Sequence, residues 1–175
     1  DTRAPKADGI MFFPQPGEGV VDGKQGIKTI LPNSERPVEA WGVIGTGIKA
    51  YDYMDGVNNH YGVYSVILTV DGNEVFRSTV DRFSQEENRM INSWTYGQYM
   101  KSFIDPGNTL RLLKASNENR GLVTIDEERD YQFLYTLKDA FGNTSKYSFV
   151  VRGRKQPIEP FNYREKYFFT WDKTN

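Results

Sequence analysis

Apolar and polar residues alternate along much of this chain with a period of two, which places successive side chains on opposite faces of a β-strand. The alternation is clearest over residues 61–79 and 131–151. It is interrupted once in each segment, by Asp71-Gly72 and by residues 139–143. Asp-Gly readily adopts the positive φ angles of a tight turn. We therefore predict two antiparallel hairpins.

Other segments also have the character of strands. The shorter candidates are residues 9–13, 26–31, 110–113 and 122–125. Pro14 and Pro16 should end the first of them, because proline cannot continue a central strand. A longer strand is predicted over residues 38–53, where Gly45 and Gly47 indicate a bulge or a close backbone approach.

One stretch favours a helix instead. Ser84 and Glu87 have the spacing of a capping box, in which each side chain satisfies a free backbone N–H group. The residues that recur after it at nearly helical spacing are Met90, Ile91, Trp94 and Tyr99. We predict a helix over about residues 85–94, within an insertion that spans about residues 85–100.

Many short strands with frequent turns favour a two-sheet sandwich, since an α/β fold would need helices between the strands. We assign residues 1–153 to the sandwich. Residues 154–175, with Pro157 and Pro160, are predicted to be a linker and the start of a following strand or domain. The aromatic cluster at 167–171 would need further protein to pack against, so we expect the chain to be a piece of a larger protein.

Composition excludes several functions. The chain has 175 residues, 22 basic against 23 acidic, with no cysteine and one histidine. Near-neutral charge argues against a nucleic-acid partner, and no apolar stretch is long enough to insert into a membrane. His60 alone cannot build a conventional zinc site or a histidine dyad. We therefore predict no catalytic and no cofactor-binding residue.

One loop is a calcium candidate. Asp52, Asp55 and Asn58 surround Gly56 and offer the oxygen ligands that calcium prefers. Their spacing does not match an EF-hand loop, and such residues are ordinary in turns. The plain turn is the favoured interpretation.

The insertion is rich in aromatic residues, beyond what one helix needs to cover a sheet edge. We predict a contact surface formed by Trp94, Tyr96, Tyr99, Met100 and Phe103. An exposed row of Trp and Tyr on one sheet face would favour glycan binding, whereas an apolar face beside residues 1–10 would favour the docking of a protein domain.

Several short motifs together resemble a known family. In order, they are Asp1-Thr2-Arg3-Ala4-Pro5, the Asp-Arg-Phe-Ser of residues 81–84, Ile91-Asn92-Ser93, Pro106-Gly107-Asn108 and Gly142-Asn143-Thr144-Ser145. Over residues 1–153 the chain resembles the region after the catalytic domain in lysostaphin-type zinc endopeptidases of Bacteroidota. Residues 50–56, 61–64 and 70–72 also resemble the second and third strands of bacterial immunoglobulin-like modules, and residues 139–145 resemble the last hairpin of those modules. The expected fold class is therefore an all-β, immunoglobulin-like β-sandwich with a short helical insertion.

The resemblance implies a parent protein that is exported to the periplasm or cell envelope and cuts peptidoglycan cross-links. None of the family's zinc ligands or catalytic histidines has a counterpart here, so zinc is expected only in the absent peptidase domain. This segment would be a non-catalytic accessory or spacer domain whose partners are the neighbouring domains of its own chain. The alternative is a glycan- or protein-binding module, with peptidoglycan or an envelope protein as its partner.

Overall fold

The computed structural model describes residues 4–51, 63–79, 95–96, 99–105, 113–115, 120–139 and 141–160. Every regular element among them is a β-strand, so the all-β prediction is confirmed. The strands are β1 (Lys6–Val21), β2 (Lys28–Ile30), β3 (Val38–Tyr51), β4 (Val63–Val70), β5 (Asn73–Thr79), β6 (Thr95–Tyr96), β7 (Tyr99–Lys101), β8 (Leu113–Ala115), β9 (Val123–Ile125), β10 (Asp130–Asp139) and β11 (Thr144–Gly153).

One hydrogen-bonded sheet folds into two layers. One layer has the antiparallel order β11-β10-β4-β5-β8. The other has β2-β1-β3, with β9 and β7 along the second edge of β3. The layers join where residues 38–40 of β3 pair in parallel with residues 151–153 of β11. These orders match the A-B-E and G-F-C-C′-C″ sheets of an immunoglobulin-like sandwich.

Aromatic rings fill the space between the layers. The Phe12 ring of β1 meets the Phe149 ring of β11 edge to face, with the centroids 5.5 Å apart. Phe149 also contacts Phe133 of β10, at 5.1 Å. All three are fully or almost fully buried. Burial of each such side chain contributes about 1.5–3 kcal/mol, so this contact between layers holds the sandwich closed.

A buried group of hydroxyls also links the two layers. The Tyr135 hydroxyl of β10 donates a hydrogen bond to Ser102 Oγ at 2.7 Å, and it lies 2.7 Å from Thr46 Oγ1 of β3. Burial raises the pKa of Tyr135 far above its ordinary value, although both hydrogen bonds act in the opposite direction. The phenol therefore stays protonated and serves as a polar link inside an apolar core.

Turn chemistry forms both predicted hairpins. Asp71 and Gly72 have φ angles of 52° and 82°, the two positive values of a type I′ turn between β4 and β5. In the other hairpin, Asp139 Oδ1 accepts hydrogen bonds from the N–H groups of Phe141 and Asn143, at 2.9 and 2.8 Å. A buried carboxylate thus caps the turn between β10 and β11.

The connection from β9 to β10 is a tyrosine corner. The Tyr131 hydroxyl at the start of β10 accepts a hydrogen bond from the N–H of Glu127 at 3.1 Å. The Arg129 guanidinium lies 3.7 Å from the centroid of the Tyr131 ring. Gly153 fits beneath this corner, since a Cβ there would lie 1.9 Å from the Glu127 carbonyl oxygen.

The prediction that Pro14 and Pro16 end the first strand is wrong, because β1 continues to Val21. Two features explain this. β2 pairs only with residues 10–12 of β1, so the prolines interrupt no hydrogen bonds on that side. The register with β3 also shifts between Pro14 and Gly19, and this irregularity accommodates Pro16.

The predicted helical insertion contains strands, not a helix, in the part that the structure describes. Residues 85–94, with the capping box before them, lie outside the described residues. Thr95–Tyr96 and Tyr99–Lys101 form an antiparallel strand pair, and β7 adds to the edge of β3, with Met100 opposite Ile48. The edge of β3 offers backbone partners that a helix could not use, and this pairing outweighs the local helical spacing.

Candidate functional site

The calcium candidates and the single histidine cannot be placed. Asp52, Asp55, Asn58 and His60 all lie outside the described residues. Within the described ranges, no three His, Cys, Asp or Glu side chains come together as a metal site would need. The described segments also contain no helix long and apolar enough to span a membrane.

The predicted contact surface is divided between core and exterior. Trp94 lies outside the described residues. Met100 and Phe103 are buried, at 3% and 5% exposure, so they belong to the domain's own packing rather than to a surface for a partner. Tyr99 is half-buried, whereas Tyr96 is 49% exposed. The aromatic content of the sequence identified the segment but could not show which of its side chains the sheet would cover.

Met100 joins the main core, but Phe103 belongs to a second, smaller cluster on the outer face of the β1–β3 layer. Met11 and Phe13 of β1 point away from the main core and are covered by Phe103 and Leu122. A Cβ on Gly45 would lie 2.5 Å from the Phe103 ring. Of the two features predicted for this glycine, a bulge or a close approach, the structure shows a close approach.

Beside this cluster lies an apolar surface that we call the outer-face patch, formed by Ile27, Leu31 and Tyr96. Their exposed fractions are 46%, 73% and 49%. The register of β1 and β2 pairs Met11 with Thr29, so Ile27 comes next to Phe13. The Tyr96 ring contacts the same Phe13 edge to face, with the centroids 5.7 Å apart. At Ile27 and Tyr96 the outer-face patch therefore continues the buried cluster into solvent.

Ile27 and Leu31 were missed from sequence alone. They flank a strand of three residues, and alternation places them on the face opposite Ile30, which packs against the main core. That alternation was the available signal.

The chain enters the sandwich at what we call the incoming end. Ser145 Oγ, at the start of β11, donates a hydrogen bond to the Pro5 carbonyl oxygen at 2.5 Å. Two residues further along each strand, the N–H of Ala7 donates to the Tyr147 hydroxyl at 3.1 Å. The first described residues are thus fixed against the beginning of β11.

The chain leaves at the opposite end of the same strand, which we call the outgoing end. After Gly153 the N–H of Arg154 donates to the Ala40 carbonyl oxygen at 3.1 Å. Further on, Gln25 Nε2 donates to the Glu159 carbonyl oxygen at 2.7 Å, and Gln25 Oε1 accepts from the N–H of Gly17 at 3.3 Å. Residues 154–160 therefore lie against the sandwich and are held at both ends.

Ion pairs between carboxylates and arginines lie around the outgoing end. Arg152 lowers the pKa of Asp130 by hydrogen bonding to it, at 2.9 Å. Burial raises the pKa of Asp71, but hydrogen bonds from the Gln132 N–H and from Arg129 outweigh this, so the net shift is downward. These carboxylates are therefore ionised at neutral pH.

A groove of about 440 Å³ opens beside these pairs. Its charged lining residues are Asp22, Lys28, Arg36 and Glu39. Asp22 pairs with Lys28, and Glu39 pairs with Arg154 outside the groove. The balance of signs produces no strong field for an anionic ligand, which agrees with the near-neutral composition.

The three buried hydroxyls that link the layers have no catalytic partner among the described residues. A nucleophilic hydroxyl needs an adjacent base. Among the described residues, Tyr135, Ser102 and Thr46 hydrogen-bond to one another and to no carboxylate or imidazole.

Comparison with known proteins identifies no relative. No protein-family model matches the sequence, and no curated protein or solved structure matches it.

Proposed function

We propose that this chain is a non-catalytic spacer domain that holds its neighbouring domains at a fixed separation and orientation. The observation that carries the proposal is the placement of the two chain ends. Pro5 lies beside Ser145 at one end of β11, and the chain leaves after Gly153 at the other end. β11 pairs with β10 along this length without a register shift. Eight residues of strand correspond to about 26 Å.

Attachment at both ends turns this distance into a fixed geometry. A free Gly- or Ser-rich tether would let neighbours move independently. Here the incoming end is held by Ser145 and Tyr147, and the outgoing segment is held by Ala40 and Gln25. Neighbouring domains would therefore be attached to a rigid body at two opposite points.

The parent protein proposed for this spacer is a lysostaphin-type zinc endopeptidase of the bacterial envelope. The support is the set of motifs over residues 1–153. In such a parent the spacer would orient the peptidase domain towards the cell wall. A His-x-His motif encoded upstream of Asp1 would support this parent.

The alternative, a glycan-binding module, has less support. Sugar stacking needs a row of exposed Trp and Tyr, and among the described residues the large exposed aromatic side chains are Tyr96 and Phe141 alone. The outer-face patch instead offers an apolar surface beside residues 9–13 of β1. That arrangement favours contact with protein.

Loosening the outgoing end tests the spacer role. In the full-length protein, Gln25→Ala removes the hydrogen bond to Glu159 and should broaden the distribution of interdomain distances measured by small-angle scattering. Lys24→Ala is the matched control, since it removes the neighbouring side chain, which is exposed to solvent. We expect the control to scatter like the wild type.

Two results would contradict the proposal. One is a wild-type protein whose domains already sample widely different separations. The other is a Gln25→Ala variant with an unchanged distance distribution.

A further inference from the structure

The outer-face patch lies close to the place where the chain leaves the domain. The Glu159 carbonyl is bound by the Gln25 side chain at 2.7 Å, and Ile27 follows Gln25 by two residues. Two residues span at most about 7 Å. The chain after Pro160 therefore begins within the length of two residues and one glutamine side chain from Ile27, the near member of the patch.

The sequence that follows is suited to an apolar surface. Residues 161–171 contain six aromatic side chains and no glycine or proline. The aromatic residues are Phe161, Tyr163, Tyr167, Phe168, Phe169 and Trp171. An extended segment of eleven residues reaches up to about 36 Å. Leu31, the far member of the patch, lies four residues beyond Ile27, or about 13 Å along an extended strand.

β2 supplies backbone partners as well. Among the described residues it pairs with β1 alone, so its outer edge presents unused N–H and C=O groups beside the patch. Such an edge accepts an added strand through main-chain hydrogen bonds, while pockets on the face receive alternate side chains.

We propose that residues 161–171 dock on the outer-face patch of their own domain and cover Ile27, Leu31 and Tyr96 with aromatic side chains. The tether favours this occupant over a second copy of the chain. A short flexible connection gives an effective concentration in the millimolar range, above that of a free partner at micromolar concentration. The docked segment would extend the rigid outgoing end by one further contact.

Cysteine cross-linking in the full chain tests the docking directly, because the chain has no native cysteine. Leu31→Cys is combined in turn with Tyr163→Cys, Tyr167→Cys and Phe169→Cys, and disulfide formation is followed under mild oxidation. Lys138→Cys, an exposed position on β10 of the other layer, replaces Leu31→Cys in the control series. We expect at least one Leu31 pair to cross-link about tenfold faster than its control, at the mass of a monomer.

Other outcomes would overturn the proposal. Equal rates in the two series would mean that the segment does not prefer the patch. A disulfide found only at the mass of a dimer would assign the patch to a second copy. These results are independent of the scattering test of the spacer role, since the spacer role requires only residues 4–160.

Proteolysis provides a second measurement that needs no cysteine. Trypsin can cut after Arg164 and Lys166. Leu31→Glu should speed these cuts several-fold by placing a charge in the patch, and Lys138→Glu should not. Leu31 is 73% exposed, so its replacement leaves the sandwich folded. Equal cleavage rates in wild type and Leu31→Glu would contradict the docking.

Discussion

Removal of one buried hydroxyl should weaken the sandwich measurably. Tyr135→Phe deletes the group that hydrogen-bonds to Ser102 Oγ and Thr46 Oγ1, each at 2.7 Å. The variant loses two hydrogen bonds of about 1 kcal/mol each, and leaves two buried hydroxyls with fewer partners. We expect the free energy of unfolding to fall by about 2–4 kcal/mol. For a chain of this size that corresponds to a decrease in Tm of roughly 5–12 °C.

Urea denaturation followed by circular dichroism measures this change, and Tyr96→Phe is the matched control. Tyr96 is half exposed, so the loss of its hydroxyl should change stability by less than about 0.5 kcal/mol. The double variant Tyr135→Phe/Thr46→Val should be more stable than the sum of the single effects predicts, because the groups share one hydrogen bond. A Tyr135→Phe variant as stable as the control would refute the reasoning.

Two further substitutions test the outgoing end. Gly153→Ala should destabilise the domain by more than about 2 kcal/mol in thermal denaturation, because a Cβ would meet the Glu127 carbonyl oxygen, whereas Gly26→Ala has open space and should be nearly neutral. Folding lowers the pKa of Asp71 below its ordinary value. Its contribution to stability is therefore fully present above the pKa of the unfolded state, and it is lost as the pH falls through the pKa of the folded state. The urea midpoint of Asp71→Asn should therefore fall less than that of the wild type between about pH 5 and pH 2, and parallel curves would contradict this.

Local patterns predicted the features that local chemistry determines. Asp71-Gly72 forms its turn because its own backbone preferences suffice, and β10 alternates because each face meets a uniform environment. The prolines of β1 could not be interpreted in this way. Whether Pro14 interrupts a strand depends on which neighbour pairs beside it, and β2 comes from residues further along the chain.

The predicted contact surface likewise depended on tertiary pairing that the sequence pattern does not show. Phe103 is buried because Gly45 leaves room for its ring on the outer face of β3, and no local pattern reveals that pairing. Tyr96 stays exposed because it lies at the end of the same cluster. Burial of an aromatic residue is decided by its tertiary neighbours, so composition could indicate a surface here but could not define its members.

The parallel join between β3 and β11 has a consequence for biosynthesis. The residues that close the sandwich come from opposite ends of the chain, as the pair Glu39–Arg154 shows with a separation of 115 residues. A chain emerging from the ribosome can form the hairpin of β1 and β3 early, but the cover over its apolar inner face is complete only after β11, with Phe149 and Val151, has been made. High contact order of this kind slows folding. Until Gly153 is free to pair, the nascent polypeptide therefore leaves apolar surface open to non-native contacts.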